Sequence, residues 1–163
     1  MDFRTFDMLF RDETSAVNAI EKSLYKRVND YFKVVLDDED EIIGMLIAYT
    51  YETSHKMYLG SFRLIVVDVL DHFVLCDIEK DDFYIAEIAI DESMRGQGMG
   101  RAVLLDAIEY ARKKGYRRVI LDADFRNAGA KSLYERLGFR EFNKKRVKIG
   151  SFERGMHNME LIL

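Results

Sequence analysis

The sequence predicts a single α/β domain of the α+β kind, with a mixed, mostly antiparallel sheet flanked by helices. Three observations predict it. Helical and strand periodicities alternate along the chain. An apolar strand pattern, Phe83–Ile90, runs through a glycine-rich turn into an amphipathic helix pattern. The last two strand patterns have no helix between them and so close as an antiparallel pair. The 163 residues suffice for one domain with a real core, and 48% hydrophobic content argues against disorder. No internal repeat or low-complexity linker marks a boundary, so residues 1–163 are read as one unit.

The elements follow in order. Met1–Phe10 is short and mixed in period. Residues 14–28 read as a helix, because Val17, Ile20, Leu24 and Val28 form one stripe and Thr14 or Ser15 supplies an N-cap. Residues 31–36 and 42–51 read as two strands of a hairpin joined by the acidic turn Asp37–Glu41. The stretch 59–76 is ambiguous: Phe62, Ile65, Val69 and Phe73 recur at helical spacing, whereas Val66, Val67 and Val69 favour a strand. It is expected to be helical. Residues 83–90 form a strand. Residues 98–114 form a helix with Leu104, Ala107, Ile108 and Ala111 inward and Gly115 as its stop. Arg118–Ala123 is the next strand, 128–137 a short helix ended by Gly138, and Phe139–Val147 and Met156–Leu163 the closing strands.

Composition narrows the function classes. A net charge of −4 argues weakly against a broad nucleic-acid footprint. Asp2 and Arg4 interrupt the start and no apolar h-region follows, so no signal peptide is read. The longest apolar stretches are too short for a bilayer; Leu64–Leu70 is broken by Asp68. The single cysteine, Cys76, excludes an internal disulfide and suits a reducing cytoplasm. His55, His72 and His157 are scattered, so no metal is expected. Proline is absent, which we connect to no function.

Residues Arg95-Gly96-Gln97-Gly98-Met99-Gly100 are the most informative stretch. Glycines at alternate positions leave backbone N–H groups uncovered, and the helix that starts there adds its positive dipole end. Together these make a site for a phosphate or diphosphate, although glycine-rich turns also occur as plain tight turns. Arg95 and Arg101 flank the loop; two arginines at a helix start oppose the dipole preference for acids, and a bound anion explains the choice. The spacing is neither Gly-x-Gly-x-x-Gly nor a P-loop, which ranks a site for NAD or ATP last.

From Ile88 to Phe139 the pattern resembles the GNAT superfamily of acyl-CoA-dependent N-acyltransferases. Glu87-Ile88-Ala89-Ile90 running into Arg95–Gly100 is similar to the family's pyrophosphate loop. Asn127, Ala130 and Leu133-Tyr134-Glu135-Arg136-Leu137-Gly138-Phe139 are similar to its later helix. The resemblance implies a V-shaped opening where the strand at 84–90 splays from that at 118–123. It places the pantetheine arm of acetyl-CoA along Ile88, Ala89 and Ile90. The diphosphate would lie on N–H groups from Gly96 through Gln97, Gly98, Met99 and Gly100 to Arg101, with Asn127 and Tyr134 in coenzyme contact. Family members usually open with a strand and then a helix, so here the first strand is expected to be shortened or missing. That leaves an open sheet edge, which a second copy of the chain would cover.

Acyl transfer to an amine needs a neutral nucleophile, a stabilised oxyanion and a proton for the thiolate. Main-chain N–H around Ile88–Ile90 is the expected oxyanion donor. Tyr134 is the candidate proton donor, its other reading being ordinary packing. Glu87 is the candidate base, with two alternatives: steering a cationic amine or facing solvent. Tyr84 is read as sharing the acceptor site or simply packing. Asn127 suits an N-cap as well as coenzyme contact. Lys144-Lys145-Arg146 reads as a solvated hairpin end or a contact to the adenosine 3′-phosphate. Cys76 reads as a small buried hydrophobe. The expected activity is acetyl transfer from acetyl-CoA to a primary amine in a ternary complex; the alternative is a non-catalytic CoA or acyl-CoA sensor.

Overall fold

The computed structural model describes residues 31–54, 73–150 and 152–163. The expected helix at 14–28, the opening strand with the second copy over its edge, and most of the ambiguous stretch 59–76 lie outside the described residues. The described strands are β1 (Tyr31–Leu36), β2 (Ile42–Thr50), β3 (Asp82–Ile90), β4 (Arg118–Asp124), β5 (Arg140–Ile149) and β6 (Phe152–Ile162). The described helices are α1 (Tyr51–Ser54), α2 (Met99–Lys114) and α3 (Ala128–Arg136). The strands form one sheet in the order β1-β2-β3-β4-β6-β5. Every neighbouring pair is antiparallel except β3 with β4, which is parallel, so the sheet is mixed and mostly antiparallel as expected.

One face of the sheet carries the main core. Val103, Leu104, Ala107, Ile108 and Ala111 of α2 recur at helical spacing and are buried against Phe83, Ile85, Val119 and Leu121. Gly115, at φ +81, stops the helix, where the sequence placed its end. Strand β3 serves this core with both parities, because the register jumps from Ile47↔Glu87 to Ala48↔Ile85 and leaves Ala86 unopposed. The bulge shifts the alternation by one, so Phe83 and Ile85 before it and Ile88 and Ile90 after it all face the same core. The same bulge has a second effect. The β3/β4 ladder runs from Asp82↔Arg118 to Ile85↔Leu121 and stops one residue before Ala86. A bulge bends and twists its strand, so β3 leaves β4 there and the expected splay opens. At the closed end, the Arg118 guanidinium bonds both Asp82 carboxylate oxygens at 2.8 and 2.7 Å and Glu160 at 2.9 Å, clamping β3, β4 and β6 together.

Gly44 sits opposite Ile90 in the β2/β3 ladder. A Cβ there would lie 2.7 Å from Ile90 Cδ1 and 2.9 Å from the Ala89 carbonyl oxygen, and the backbone oxygen cannot move without parting the strands. Gly44→Ala is expected to destabilise the chain by about 1–3 kcal/mol, seen as a lower urea midpoint at unchanged slope.

The closing hairpin differs from the sequence expectation. The strands reach Arg140–Ile149 and Phe152–Ile162, and pair as far as Val147↔Arg154, Lys148↔Glu153 and Ile149↔Phe152. Gly150, at φ +60, turns the chain tightly, and the ladder continues through charged residues whose side chains have no need of a core. Lys144, Lys145 and Arg146 therefore lie within β5 rather than at a solvated hairpin end. Each is engaged within the chain: Lys144 with Glu141 at 3.4 Å, Arg146 with Glu153 at 3.2 Å, and Lys145 with Asp77 at 2.8 Å and the Leu75 carbonyl at 2.9 Å.

Candidate functional site

The chain leaves β3 through a short 3-10 turn, Glu92–Met94, capped by Asp91, whose carboxylate accepts from the Ser93 N–H at 2.9 Å. It then passes Gly96 and Gly98, at φ +77 and +84, into α2. Only glycine adopts these two left-handed conformations without strain. Helix α2 has no side-chain cap and no acidic residue in its first turn. The backbone donors that find backbone acceptors are Arg95, bonded to Glu92 at 3.2 Å, and Ala102, bonded to Gly98 at 3.0 Å. Between them, Met99, Gly100 and Arg101 open the helix, where their N–H groups have no carbonyl one turn back within it. The result is an exposed row of donors at the positive end of a sixteen-residue helix, ready for an anion. Arg95 and Arg101 are exposed beside it. The Gln97 amide folds back onto the Ser93 carbonyl at 3.2 Å, and Met99 and Gly100 are half-buried at the helix mouth.

The splay lies on β3, the strand that leads into this loop. Beyond Ile85, the edge of β3 that faces β4 has no strand partner among the described residues, while its other edge pairs Ile88, Ala89 and Ile90 with Leu46, Met45 and Gly44. An extended ligand arm has main-chain groups to pair with there, as an added strand would. Ile88 and Ile90 pack against the core, and Ala89 is exposed. Glu87 is exposed too; the bulge and the alternation turn it outward, so its apolar sequence neighbours do not bury it.

Helix α3 supplies the other wall. Asn127 caps it, its Oδ1 accepting from the Ala130 N–H at 3.0 Å, as its residue type suggested. Gly138, at φ +95, closes the far end, and the Tyr134 carbonyl accepts from the Leu137 and Phe139 N–H groups, each at 3.0 Å. Tyr134 is thereby fixed, with 6% of its surface exposed and its ring 6.0 Å from that of Phe139. Burial pushes its phenol up to about 12, with the charges of Glu87 and Asp122 adding to the rise. These two carboxylates come one from β3 and one from β4.

The sequence reading passed over Asp122. It lies on β4 one residue beyond the last β3/β4 pair, on the sheet face opposite α2. Its Oδ2 accepts from the Tyr84 hydroxyl at 2.9 Å and the Cys76 N–H at 3.0 Å. Its Oδ1 accepts from the Cys76 thiol at 3.1 Å and from Asn158 Nδ2. Burial raises its pKa in spite of these donors. Tyr84 and Cys76 are buried beside Ile120. Burial, followed by the Asp122 charge, pushes the Cys76 thiol far up, and its side chain is buried. Among the described residues, no cluster of side chains is suited to hold a metal ion, and no helix is long and apolar enough to cross a membrane.

A family model described as the acetyltransferase (GNAT) family matches residues 3–139. An uncharacterised N-acetyltransferase of Methanocaldococcus jannaschii is 46% identical over 76 residues, which is 42% of this chain and 34% of that one. The glucosamine 6-phosphate N-acetyltransferase of Trypanosoma brucei brucei is 37% identical over 62 residues, which is 38% of this chain and 40% of that protein. This chain thus spans well under two thirds of the length of either relative. The ribosomal protein bS18-alanine N-acetyltransferase of Escherichia coli is 33% identical over 106 residues, covering 61% of this chain and 72% of that one. The crystal structure of that Escherichia coli activity superposes with a TM-score of 0.60 at 20% identity, covering 87% of this chain and 76% of the other. An acetyl-CoA-bound GNAT acetyltransferase from Elizabethkingia anophelis superposes with a TM-score of 0.56 at 20% identity, covering 81% and 75%. At these identities the structural likeness is one of fold.

Proposed function

Because this chain belongs to the acetyltransferase (GNAT) family, a family of acyltransferases, we propose that it moves an acetyl group from acetyl-CoA to a primary amine by direct attack in a ternary complex. The uncapped mouth of α2, reached from the strand that parts from β4 beyond Ile85, carries this proposal. The diphosphate of acetyl-CoA rests there, with Arg95 and Arg101 as nearby cations. The pantetheine arm pairs along Ile88, Ala89 and Ile90 and brings the thioester between the strands. A main-chain N–H of β3 stabilises the oxyanion, a role whose loss typically costs about 3–4 kcal/mol. Tyr134 protonates the departing thiolate, while the exposed Glu87 draws the cationic amine toward the mouth or takes its proton. The buried thiol of Cys76 offers no covalent route, which favours direct transfer.

At a hundredfold excess over its dissociation constant, acetyl-CoA is expected to stabilise the chain by about 2.7 kcal/mol. For a chain of this size that is a Tm rise of roughly 5–10 °C. No rise at millimolar coenzyme overturns the assignment. Thiol release on adding amines then separates a transferase from a sensor, which would bind acetyl-CoA and release none. A short peptide with an N-terminal alanine is the first acceptor to test, after the activity named for the Escherichia coli relative.

A further inference from the structure

We propose that the segment 74–78 ends the acyl cleft and limits the donor to a short acyl group, with Cys76 and Ile78 setting the length. The proposal rests on the coenzyme placement of the acetyl-transfer reading and adds which acyl groups that placement admits. Three observations support it. The first is the segment's course across the sheet, on the face opposite α2. The Val74 carbonyl accepts from Asn158 Nδ2 of β6 at 3.0 Å, and the Leu75 carbonyl from Lys145 Nζ of β5 at 2.9 Å. The Cys76 N–H donates to Asp122 Oδ2 of β4 at 3.0 Å. After Ile78, a turn in which the Asp82 N–H donates to the Glu79 carbonyl at 3.1 Å leads into β3. The second is its level. Asp122 pairs with Asn158 and directly follows Leu121, the last residue of β4 to pair with β3. The segment thus crosses β4 at the rung where the two strands part. The third is what fills that place. Cys76 is buried with Tyr84 of β3 and Ile120 of β4, and Ile78 and Ala86 pack against the three. On the α2 face, Ile85 and Leu121 are buried in the main core. Side chains therefore close the apex of the splay on both faces.

The mouth of α2 follows the C-terminal end of β3. An arm that starts from a diphosphate at that mouth and pairs along Ile90, Ala89 and Ile88 therefore runs back toward Ala86, and its thioester arrives near the apex. Carbons beyond the thioester carbonyl continue toward Cys76 and Ile78. A methyl group ends short of them, whereas each further methylene has to displace packed side chains. In an apolar pocket one methylene changes affinity by about 10- to 200-fold. The anchors make the wall stiff. Its three main-chain bonds come from three different strands, so lifting the segment breaks bonds to β4, β5 and β6 together.

Calorimetric titration with acetyl-CoA and butyryl-CoA tests the wall without needing an acceptor amine. The wild type is expected to bind butyryl-CoA at least about 10-fold more weakly than acetyl-CoA. Ile78→Ala should narrow that gap by at least about 10-fold while the affinity for acetyl-CoA changes little. Cys76→Ala, which keeps the main-chain bond to Asp122, should narrow it too. Leu161→Ala, which trims the core opposite Val119 at the closed end of β4, should leave the gap as it is. Equal wild-type affinities for the two acyl-CoAs, an unchanged gap in both wall variants, or an equal narrowing in Leu161→Ala overturns the wall and leaves the coenzyme site standing. Wild-type protein that binds neither acyl-CoA at millimolar concentration overturns the placement itself, and the wall falls with it.

Discussion

Gly98→Ala is expected to weaken acetyl-CoA binding by at least about 10-fold, whereas Gly115→Ala leaves binding intact, although the two substitutions strain the backbone alike. The two glycines cap opposite ends of α2, at φ +84 and +81, and a Cβ at either meets nothing within 4 Å. A left-handed alanine costs roughly 1–2 kcal/mol at each position, so both variants should show similar falls in Tm without coenzyme. They differ in what the new methyl faces. At Gly115 it faces open surface behind the last turn. At Gly98 it lies at the mouth of α2, where the proposed diphosphate site would lose room for its ligand. Each charge-assisted hydrogen bond lost there is worth about 1.5–3 kcal/mol. One or two such losses weaken binding by about 10-fold to 10⁴-fold. Calorimetric titration of both variants with acetyl-CoA checks the expectation. Equal affinities would show that the glycine loop is only a tight turn.

What the sequence made legible is local. The ends of α2 and α3 were visible because glycines and Asn127 solve terminus problems with their own atoms, and the core stripe of α2 because it repeats every turn. The loop was visible because glycine takes a left-handed backbone at no steric cost. The splay, by contrast, came only from the family resemblance. Its cause, the bulge at Ala86, depends on which residue of β2 opposes which of β3. A trace was present: apolar residues sit at odd positions in Phe83 and Ile85, then at even ones in Ile88 and Ile90. Such a switch of parity within one strand signals a bulge. The same switch explains why Glu87 is exposed although its neighbours are apolar. Contacts between distant segments left no trace. Lys145 meets Leu75 and Asp77, and Asp122 gathers Cys76, Tyr84 and Asn158, each pairing spanning some 36 to 70 residues of sequence. No period or spacing encodes such a meeting. An acid alternating with Ile120 on a buried strand was its only mark.

Replacing Tyr134 with phenylalanine should slow turnover without loosening the fold, and the two effects can be read separately. The ring stays, so packing against Phe139 survives. The hydroxyl has no hydrogen-bond partner among the described residues, so removing it from a buried site is neutral or mildly stabilising. What disappears is the proton for the thiolate. General acid catalysis is worth about 10²–10⁴-fold, so kcat should fall by at least ~100-fold, with KM for acetyl-CoA little changed. Alkaline pH supplies an independent check. The Tyr134 phenol is pushed from its ordinary value of 10.0 up to about 12. A folded pKa above the unfolded one means that this contribution to stability is fully present below about pH 10 and is lost as pH rises toward 12, in total by about 2–3 kcal/mol. Tyr31, also raised to about 12, adds a slope of the same sign that the variant keeps. Melting curves between pH 9 and 12 should therefore fall less steeply for Tyr134→Phe than for the wild type. Full turnover in the variant would remove Tyr134 from the chemistry and leave it a packing residue at the end of α3.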